Sequence, residues 1–191
     1  MIKSSYKIIL GSNSPRRNEL LSGIDIAYKV RTIPDIDEDY PADMAVEKVP
    51  EYLAQKKAAA YNQRMTDDVL LITADTVVIL DGKLYGKPTN DKDAKEMLRS
   101  LSGKTHTVIT GVCLTTTCKQ VTFSDVAFVT FSDISDIEID YYLQHYSPLD
   151  KAGAYGVQEW IGYIAVERIE GSYFNVMGLP ISKVYQALKE F

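Results

Sequence analysis

The chain has 191 residues, of which 46% are hydrophobic and 25% are charged, and its formal net charge is −5. This composition is typical of a globular protein and argues against disorder and fibrous architectures. The acidic balance disfavours nonspecific binding to nucleic acid or an anionic membrane, and no signal-peptide pattern or membrane-spanning apolar run is visible. We therefore expect one cytoplasmic domain over residues 1–191, with no nucleic-acid or membrane partner.

The first segment with functional character is the junction between a short apolar strand, residues 8–10, and a helix that begins at Pro15. Ser14 is placed as the N-cap of that helix. Helix N-termini present unpaired N–H groups and partial positive charge, so they favour anions. Because Arg16 and Arg17 add cations at this unfavourable end, the segment predicts a bound phosphate or carboxylate; an ordinary capped surface helix is the alternative.

An acidic segment follows the second predicted strand, which covers residues 28–32. One interpretation is a solvated loop of like charges, and the other is a source of oxygen ligands for a hard divalent cation. Five carboxylates belong to this segment: Asp35, Asp37, Glu38, Asp39 and Asp43.

The next predicted helix begins at Pro50, continues to about Tyr61 and is preceded by a looser turn over residues 42–48. Neighbouring residues on a helix point about 100° apart, so Lys56 and Lys57 cannot face the same way. Lys57 lies one turn after the apolar Leu53 and is therefore the better candidate for a lysine at the edge of the core.

Residues 69–80 are nearly continuous apolar sequence, as in a strand buried on both faces. Asp75 interrupts this run, and an isolated buried carboxylate costs several kcal/mol unless it is paired, hydrogen-bonded or bound to a metal. We expect Asp75 to have a catalytic or metal-binding role, with capping of backbone N–H groups at a strand break as the alternative.

The next segments are predicted as a hairpin that leads to Lys87 and as scaffold elements after it. Asp81-Gly82 predicts a hairpin that returns the chain towards Lys87, which places this lysine close to Asp75 in sequence. The further predictions are a helix from Asn90 to Leu101, two antiparallel strands over residues 105–131, and an amphipathic helix over residues 134–145 that buries Ile137, Tyr141 and Tyr142.

The segment 148–158 is rich in glycine and alanine, which allows close approach of a ligand to the backbone. Tyr155 could stack on a nucleotide base and Gln158 could hydrogen-bond a base edge; a glycine-rich loop with a packed tyrosine is the alternative. A strand over residues 161–169 and a final helix over residues 180–188 complete the prediction.

The cysteines and histidines give little indication of a site. Cys113 and Cys118 are expected to be reduced thiols that serve as small packing residues. His106 and His145 have no neighbouring ligand types in the sequence, so neither a histidine metal site nor a serine-histidine triad is predicted.

Six segments, in order, make the sequence similar to the Maf family of nucleoside triphosphate pyrophosphatases, also described as septum-formation proteins. They are distributed along nearly the whole chain, and their joint occurrence is far more specific than any one of them. The segments are 12–17 (SNSPRR), 74–76 (ADT), 87–88 (KP), 101–106 (LSGKTH), 150–158 (DKAGAYGVQ), and 171–173 (GSY) with 178–180 (GLP).

The resemblance implies an α/β fold with an elongated, twisted mixed sheet, flanking helices and two lobes around a cleft, related to inosine triphosphatases and usually homodimeric. It implies hydrolysis of a nucleoside triphosphate to the monophosphate and pyrophosphate with Mg²⁺ or Mn²⁺. Gln158 resembles the subfamily acting on dTTP and UTP rather than the one acting on methylated GTP.

The resemblance also implies a role for each site residue. Asp75 would be the catalytic base towards water, and Glu38 would join Asp75 near the metal. The substrate-binding residues would be Ser12, Arg16, Arg17, Lys57 and Lys87 at the phosphates, with Arg16, Thr76 and Gln158 contributing to substrate choice.

Two other functions stay open at this point. The chain could be a non-catalytic nucleotide-binding regulator of cell division, which would bind nucleotide without turnover. It could also be a pyrophosphatase for non-canonical purine triphosphates, which a panel of nucleotides would distinguish.

Overall fold

The structure is a computed structural model that describes residues 5–191. Its strands are β1 (Lys7–Leu10), β2 (Tyr28–Val30), β3 (Val69–Leu80), β4 (Lys83–Tyr85), β5 (Thr105–Thr115), β6 (Gln120–Phe131) and β7 (Val166–Glu170). Its α-helices are α1 (Pro15–Ser22), α2 (Val49–Ala59), α3 (Asp91–Leu101), α4 (Asp136–His145), α5 (Trp160–Ala165), α6 (Tyr173–Met177) and α7 (Ile181–Leu188).

The strands form one seven-stranded mixed sheet in the order β2-β1-β3-β5-β6-β7, with β4 paired to β3. β1 is parallel to both β2 and β3, whereas the β3–β4 and β6–β7 pairs are antiparallel. The predicted α/β class with a mixed sheet and helices is therefore confirmed.

The chain divides into two compact units. Among the described residues, the first comprises those up to residue 75 together with 110–125 and 178–191, and the second comprises residues 76–109 and 126–177. The single domain over residues 1–191 and the cleft between two lobes stay predictions.

The core of the first unit forms around β1 and the first half of β3. Leu10, Leu71 and Ile72 have no exposed surface, as the apolar pattern of the two strands predicts for a sheet covered on both faces. Helix α2 contributes Ala54 and Ala58 to the same interior, and small residues there allow a close approach of helix to sheet.

The second unit contains the β3–β4 hairpin, helices α3 and α4, strand β7 and parts of β5 and β6. Asp81 and Gly82 both have positive φ, the conformation that a two-residue type I′ turn requires. The Asn90 side chain accepts a hydrogen bond from the Asp93 N–H and caps α3 as predicted, and Leu98 and Leu101 on that helix are fully buried.

An aromatic cluster fills the interior of the second unit. His106 is 1% exposed, and its ring packs edge-to-face against Phe131 and Tyr155 at centroid distances of 4.9 and 5.4 Å. The Nε2 atom of His106 is 2.8 Å from the hydroxyl oxygen of Tyr155. Tyr155 is therefore packed in the interior, as the alternative interpretation of the glycine-rich segment predicted, and is not exposed for stacking on a base.

The predicted strand over residues 161–169 is wrong in its first half, because the chain forms α5 before β7 begins at Val166. Ile161 and Ala165 are buried, but Tyr163 between them is 83% exposed. A strand would turn Tyr163 to the same face as its buried neighbours, whereas a helix separates them. The β-branched and aromatic composition favoured a strand, and packing overrode that preference.

Helix α4 is confirmed but buries fewer residues than predicted. It begins at Asp136 because the Ser135 side chain accepts from the Glu138 N–H and Glu138 accepts from the Ser135 N–H, which is a capping box. Tyr142 is fully buried, whereas Ile137 and Tyr141 are 82% and 43% exposed, so the expectation that they are buried is wrong.

Two further differences concern the cysteines and the C-terminal region. Both cysteines are free thiols, but only Cys113 is buried, so the packing role predicted for Cys118 is wrong. The short helix α6 was not predicted, and α7 forms over nearly the expected range. Within residues 5–191, no helix is long and apolar enough to cross a membrane.

The buried histidine generates a testable pH dependence. Burial lowers the pKa of His106 from 6.5 to about 4, so between these values the unfolded chain binds a proton that the folded chain does not. Stability is therefore greatest above pH 6.5 and should fall by about 3 kcal/mol as the pH drops to 4, through this group alone.

Urea unfolding of wild type and His106→Gln at pH 7, 6, 5 and 4.5 measures this contribution. The glutamine amide keeps a polar atom near the Tyr155 hydroxyl but does not titrate. His145→Gln, which replaces the other histidine at an exposed position, is the control. Parallel pH profiles for wild type and His106→Gln would contradict the prediction.

Candidate functional site

The first part of the candidate site is the loop from β1 into α1. The Ser14 side chain accepts a hydrogen bond from the Arg17 N–H at 3.4 Å, which confirms Ser14 as the N-cap, and Pro15 begins the helix. The Ser12 hydroxyl is buried and accepts from the Ser14 N–H at 3.2 Å. The first turn of α1 contains no acidic residue. The helix start therefore has the positive character that the sequence predicted.

Arg17 connects this loop to two other segments of the first unit. Its Nε atom donates to the Gly178 carbonyl at 2.7 Å, and its Nη1 atom donates to the Ala74 carbonyl at 2.9 Å and to the Ser12 hydroxyl at 3.5 Å. Burial lowers the pKa of the guanidinium, and the negative charge of Asp75 opposes that shift. Arginine nevertheless stays charged in proteins, so Arg17 is a cation at a half-buried position.

Asp75 lies in the middle of β3, and its side chain is 10% exposed. The Lys57 ammonium donates to Asp75 Oδ1 at 2.6 Å and is 2.8 Å from Glu38 Oε1, so one cation contacts both carboxylates. The Lys57 side chain is 13% exposed, whereas that of Glu38 is 44% exposed. The pairing supplies the compensation that a buried carboxylate requires, and it confirms Lys57 as the lysine at the edge of the core.

Helix α2 presents its two adjacent lysines to different partners. Lys56 donates to Asp37 Oδ2 and to the Asp39 carbonyl, both at 2.7 Å. The hydrogen bond with Asp37 raises the pKa of Lys56, and the same bond lowers the pKa of Asp37. The Asp39 N–H also donates to Asp37 Oδ1. Lys56 thus holds the acidic loop on α2, and Glu38 is the residue of that loop that reaches Lys57.

A buried hydrogen bond fixes α2 relative to β3. The Thr73 hydroxyl donates to the Ala54 carbonyl at 2.7 Å, two residues before Asp75 on the strand and one turn before Lys57 on the helix. Because the bond lies among buried residues, water does not compete with it. It therefore sets the register at which the ammonium meets the carboxylate.

Three of the predicted residues, Thr76, Lys87 and Gln158, belong to the second unit. Thr76 follows Asp75 on β3 and is half-buried, and Lys87 follows the hairpin and is exposed. Gln158 is half-buried, and its Oε1 atom is fully buried without a hydrogen-bond partner among the described residues. A buried acceptor without a partner costs free energy unless a ligand or water binds it.

The structure therefore brings Ser12, Arg17, Lys57, Glu38 and Asp75 together within the first unit. Arg16 is half-buried in the same first turn of α1. The backbone carbonyls of Ala74 and Gly178 hold Arg17 and were not predicted. No side-chain signal could have revealed them, because any residue carries the same carbonyl group.

The acidic groups of the site are few. Among residues 5–191, no three or more histidine, cysteine, aspartate or glutamate side chains are arranged so that they could hold a metal ion by themselves. Asp75 and Glu38 are the two carboxylates that meet at Lys57. Mg²⁺ is typically bound in this way, by one or two carboxylates together with water and substrate phosphates.

Comparison with known proteins gives concordant matches. The family model described as Maf-like protein matches residues 7–191. A dTTP/UTP pyrophosphatase of Phocaeicola vulgatus is 60% identical over 97% of this chain and 96% of its own length. The dTTP/UTP pyrophosphatase of Porphyromonas gingivalis is 58% identical over 97% of this chain and 94% of its own length.

A solved structure also aligns with most of this chain. It is a nucleoside-triphosphatase, or dITP/XTP pyrophosphatase, of Mycobacterium abscessus, matched at 15% identity and a TM-score of 0.44 over 95% of this chain and 93% of that one.

The two lysines of α2 provide a stability test of the site. Lys57→Met leaves Asp75 buried without its cation, so we expect the free energy of unfolding to fall by about 3 kcal/mol in urea denaturation at pH 7. Lys56→Met is the matched control on the same helix, and its pair with the exposed Asp37 should contribute far less.

The double variant Lys57→Met/Asp75→Asn should regain part of the lost stability, because the unpaired charge is then gone. Equal losses of stability in Lys57→Met and Lys56→Met would show that the Lys57–Asp75 pair is no more important than a surface ion pair.

Proposed function

This chain belongs to the Maf-like protein family, and on that premise we propose that it hydrolyses dTTP and UTP to the nucleoside monophosphate and pyrophosphate. The observation that carries the proposal is the buried Asp75 carboxylate held by Lys57, next to the carbonyl that binds Arg17. Relatives 57–60% identical over almost the whole chain are named dTTP/UTP pyrophosphatase, which supports the same substrates here.

We assign the triphosphate to the helix start and the lysines. Ser12, Arg16 and Arg17 offer a hydroxyl and two guanidinium groups at a helix N-terminus with no acidic residue in its first turn. Lys57 and Lys87 add two ammonium groups. Such charges stabilise the negative charge that develops on the phosphate oxygens and on the departing pyrophosphate.

A divalent cation, Mg²⁺ or Mn²⁺, fits the two carboxylates that meet at Lys57. The ammonium within 2.8 Å of both Asp75 and Glu38 shows that positive charge is favoured beside these carboxylates, and the cation would bind next to the ammonium, not in its place. We propose that Asp75 and Glu38 hold this cation together with phosphate oxygens. When bound, the cation neutralises phosphate charge and lowers the pKa of bound water.

Asp75 is the base that this chain supplies. Lys57 binds its Oδ1 atom, so we assign Oδ2 as the oxygen that accepts a proton from the attacking water. The new bond forms between the water oxygen and the α-phosphorus, and the bond from the α-phosphorus to the bridging oxygen breaks. The bridging oxygen and its electron pair leave with pyrophosphate.

Gln158 is assigned to the base of the nucleotide. Its Oε1 acceptor would receive the N3–H of thymine or uracil once the side chain turns towards the base, which would give this atom the partner that it otherwise lacks. Thr76 and Arg16 are further candidates for substrate choice. The predicted homodimer and cytoplasmic location stay predictions.

A nucleotide panel tests the substrate assignment. With Mg²⁺ or Mn²⁺, we expect pyrophosphate release from dTTP and UTP to exceed that from ITP, XTP and the common purine triphosphates. Faster release from ITP or XTP would favour the non-canonical purine alternative. Nucleotide binding without any release would favour the regulator.

Substitution of the base tests the mechanism. Asp75→Asn keeps the shape but removes the proton acceptor, so kcat for UTP should fall by roughly 10²- to 10⁴-fold. The control is Asp68→Asn, which removes an exposed carboxylate just before the same strand and should keep wild-type kcat. Comparable pyrophosphate release by Asp75→Asn and wild type would remove Asp75 from this role.

Substitution of Gln158 tests the assignment of the base. Gln158→Leu preserves size but cannot hydrogen-bond, and kcat/KM for UTP should fall about tenfold or more. Inhibition by inorganic tripolyphosphate, which has no base, should be unchanged. An equal loss in tripolyphosphate binding would place Gln158 at the phosphates instead.

A further inference from the structure

Gln158 lies in a tight turn of the second unit. The Glu159 N–H donates to the Gly156 carbonyl at 2.9 Å, which closes a four-residue turn with Val157 and Gln158 at its centre. The Gln158 backbone is therefore held at the tip of a closed turn, immediately before α5.

One phenol oxygen joins the two ends of this turn. The Gly156 N–H donates to the Tyr142 hydroxyl at 3.1 Å, and the same hydroxyl donates to the Glu159 carboxylate at Oε2. Tyr142 is fully buried on α4, so these hydrogen bonds form away from competing water. The helix thus holds both the first and the last residue of the turn.

A buried lysine holds the other oxygen of the same carboxylate. Lys151 Nζ is 3.1 Å from Glu159 Oε1 and 2.9 Å from Asp150 Oδ1, and it donates to the Ser147 carbonyl at 2.8 Å. The Lys151 side chain is 7% exposed. Glu159 therefore has each carboxylate oxygen bound by a different partner, which fixes its orientation.

The glycine at the start of the turn is required by this arrangement. A Cβ atom at Gly156 would lie 2.7 Å from Cδ of Glu159, closer than carbon atoms approach without displacement. The carboxylate thus occupies the space that a side chain at position 156 would need. The turn and the Glu159 carboxylate therefore pack directly against each other.

We propose that Tyr142, Glu159 and Lys151 are positioning residues that set the base selectivity of the enzyme by holding the Gln158 turn. The inference rests on the function proposed above and deepens it at the base end of the site. None of the three residues is assigned to contact the substrate; each acts through the backbone and the side chain of its neighbours.

The chemistry of the carboxamide explains why such a support is needed. An amide presents an acceptor at one end and a donor at the other, so a freely turning Gln158 could pair with uracil or, rotated, with cytosine. Uracil and cytosine differ in the donor and acceptor pattern at N3 and C4. Discrimination therefore requires a carboxamide that is held in one place and one orientation when the base is bound.

The test compares UTP with CTP. In Tyr142→Phe the ring stays but the hydroxyl is lost, so the Gly156 N–H and the Glu159 carboxylate both lose a partner. We expect the ratio of kcat/KM for UTP to that for CTP to fall about fivefold, because the turn that orients the Gln158 amide loses both hydrogen bonds of the phenol oxygen. Inhibition by inorganic tripolyphosphate should stay at the wild-type value.

The control is Tyr141→Phe on the next residue of the same helix, where the half-exposed ring stacks on His145. It should keep the wild-type UTP-to-CTP ratio. A purely structural role for Tyr142 would lower activity on both nucleotides equally, because fewer molecules would be folded, and would leave their ratio unchanged. An unchanged ratio would overturn the proposal.

Glu159→Gln provides a second, nearly isosteric variant if Tyr142→Phe folds poorly. It keeps an acceptor but weakens the bond to the Lys151 ammonium, so we expect a smaller drop in the ratio, in the same direction. The double variant Tyr142→Phe/Glu159→Gln should lower the UTP-to-CTP ratio by less than the two single effects combined, because both residues act through one network.

The two proposals fail in different ways. Failure of wild type to hydrolyse UTP would refute the proposed function, whereas hydrolysis of UTP by wild type with the same UTP-to-CTP ratio in both variants would refute the positioning role alone.

Discussion

The structure depends most on the need to compensate a negative charge in an apolar strand. Asp75 lies among residues of β3 that have almost no contact with water, and an unpaired charge there would cost several kcal/mol. The Lys57 ammonium meets this need only if α2 packs on the sheet at one register, which the Thr73–Ala54 hydrogen bond sets. The acidic loop in turn must fold back so that Glu38 reaches the same ammonium.

Much of this arrangement follows from local sequence patterns. The apolar run of β3 with a single carboxylate, the Ser14 cap, the Asp81-Gly82 turn and the different directions of Lys56 and Lys57 are all properties of a few adjacent residues, and the structure confirms them. Periodicity and capping are strong signals because the residues that cause them lie within one or two turns of each other.

What the sequence could not reveal depends on contacts between distant residues. The strand predicted at residue 161 is a helix, because burial of Ile161 and Ala165 outweighs a composition that favours strands. The partners of Arg17 are backbone carbonyls 57 and 161 residues away. Tyr142 and Lys151 resembled ordinary helix and loop residues, since their importance arises only when Glu159 lies between them.

Different kinds of interaction are therefore proposed to bind the phosphates and the base of the nucleotide. At the phosphate end, cationic side chains attract the negative phosphate oxygens. This Coulomb attraction falls slowly with distance, so small displacements of the side chains are tolerated. At the base end, selectivity rests on hydrogen bonds that weaken steeply as their angle departs from linearity. In the proposed function a rigid support is consequently worth more at Gln158 than at Arg16 or Lys87, and the buried contacts of Tyr142, Glu159 and Lys151 would supply that support.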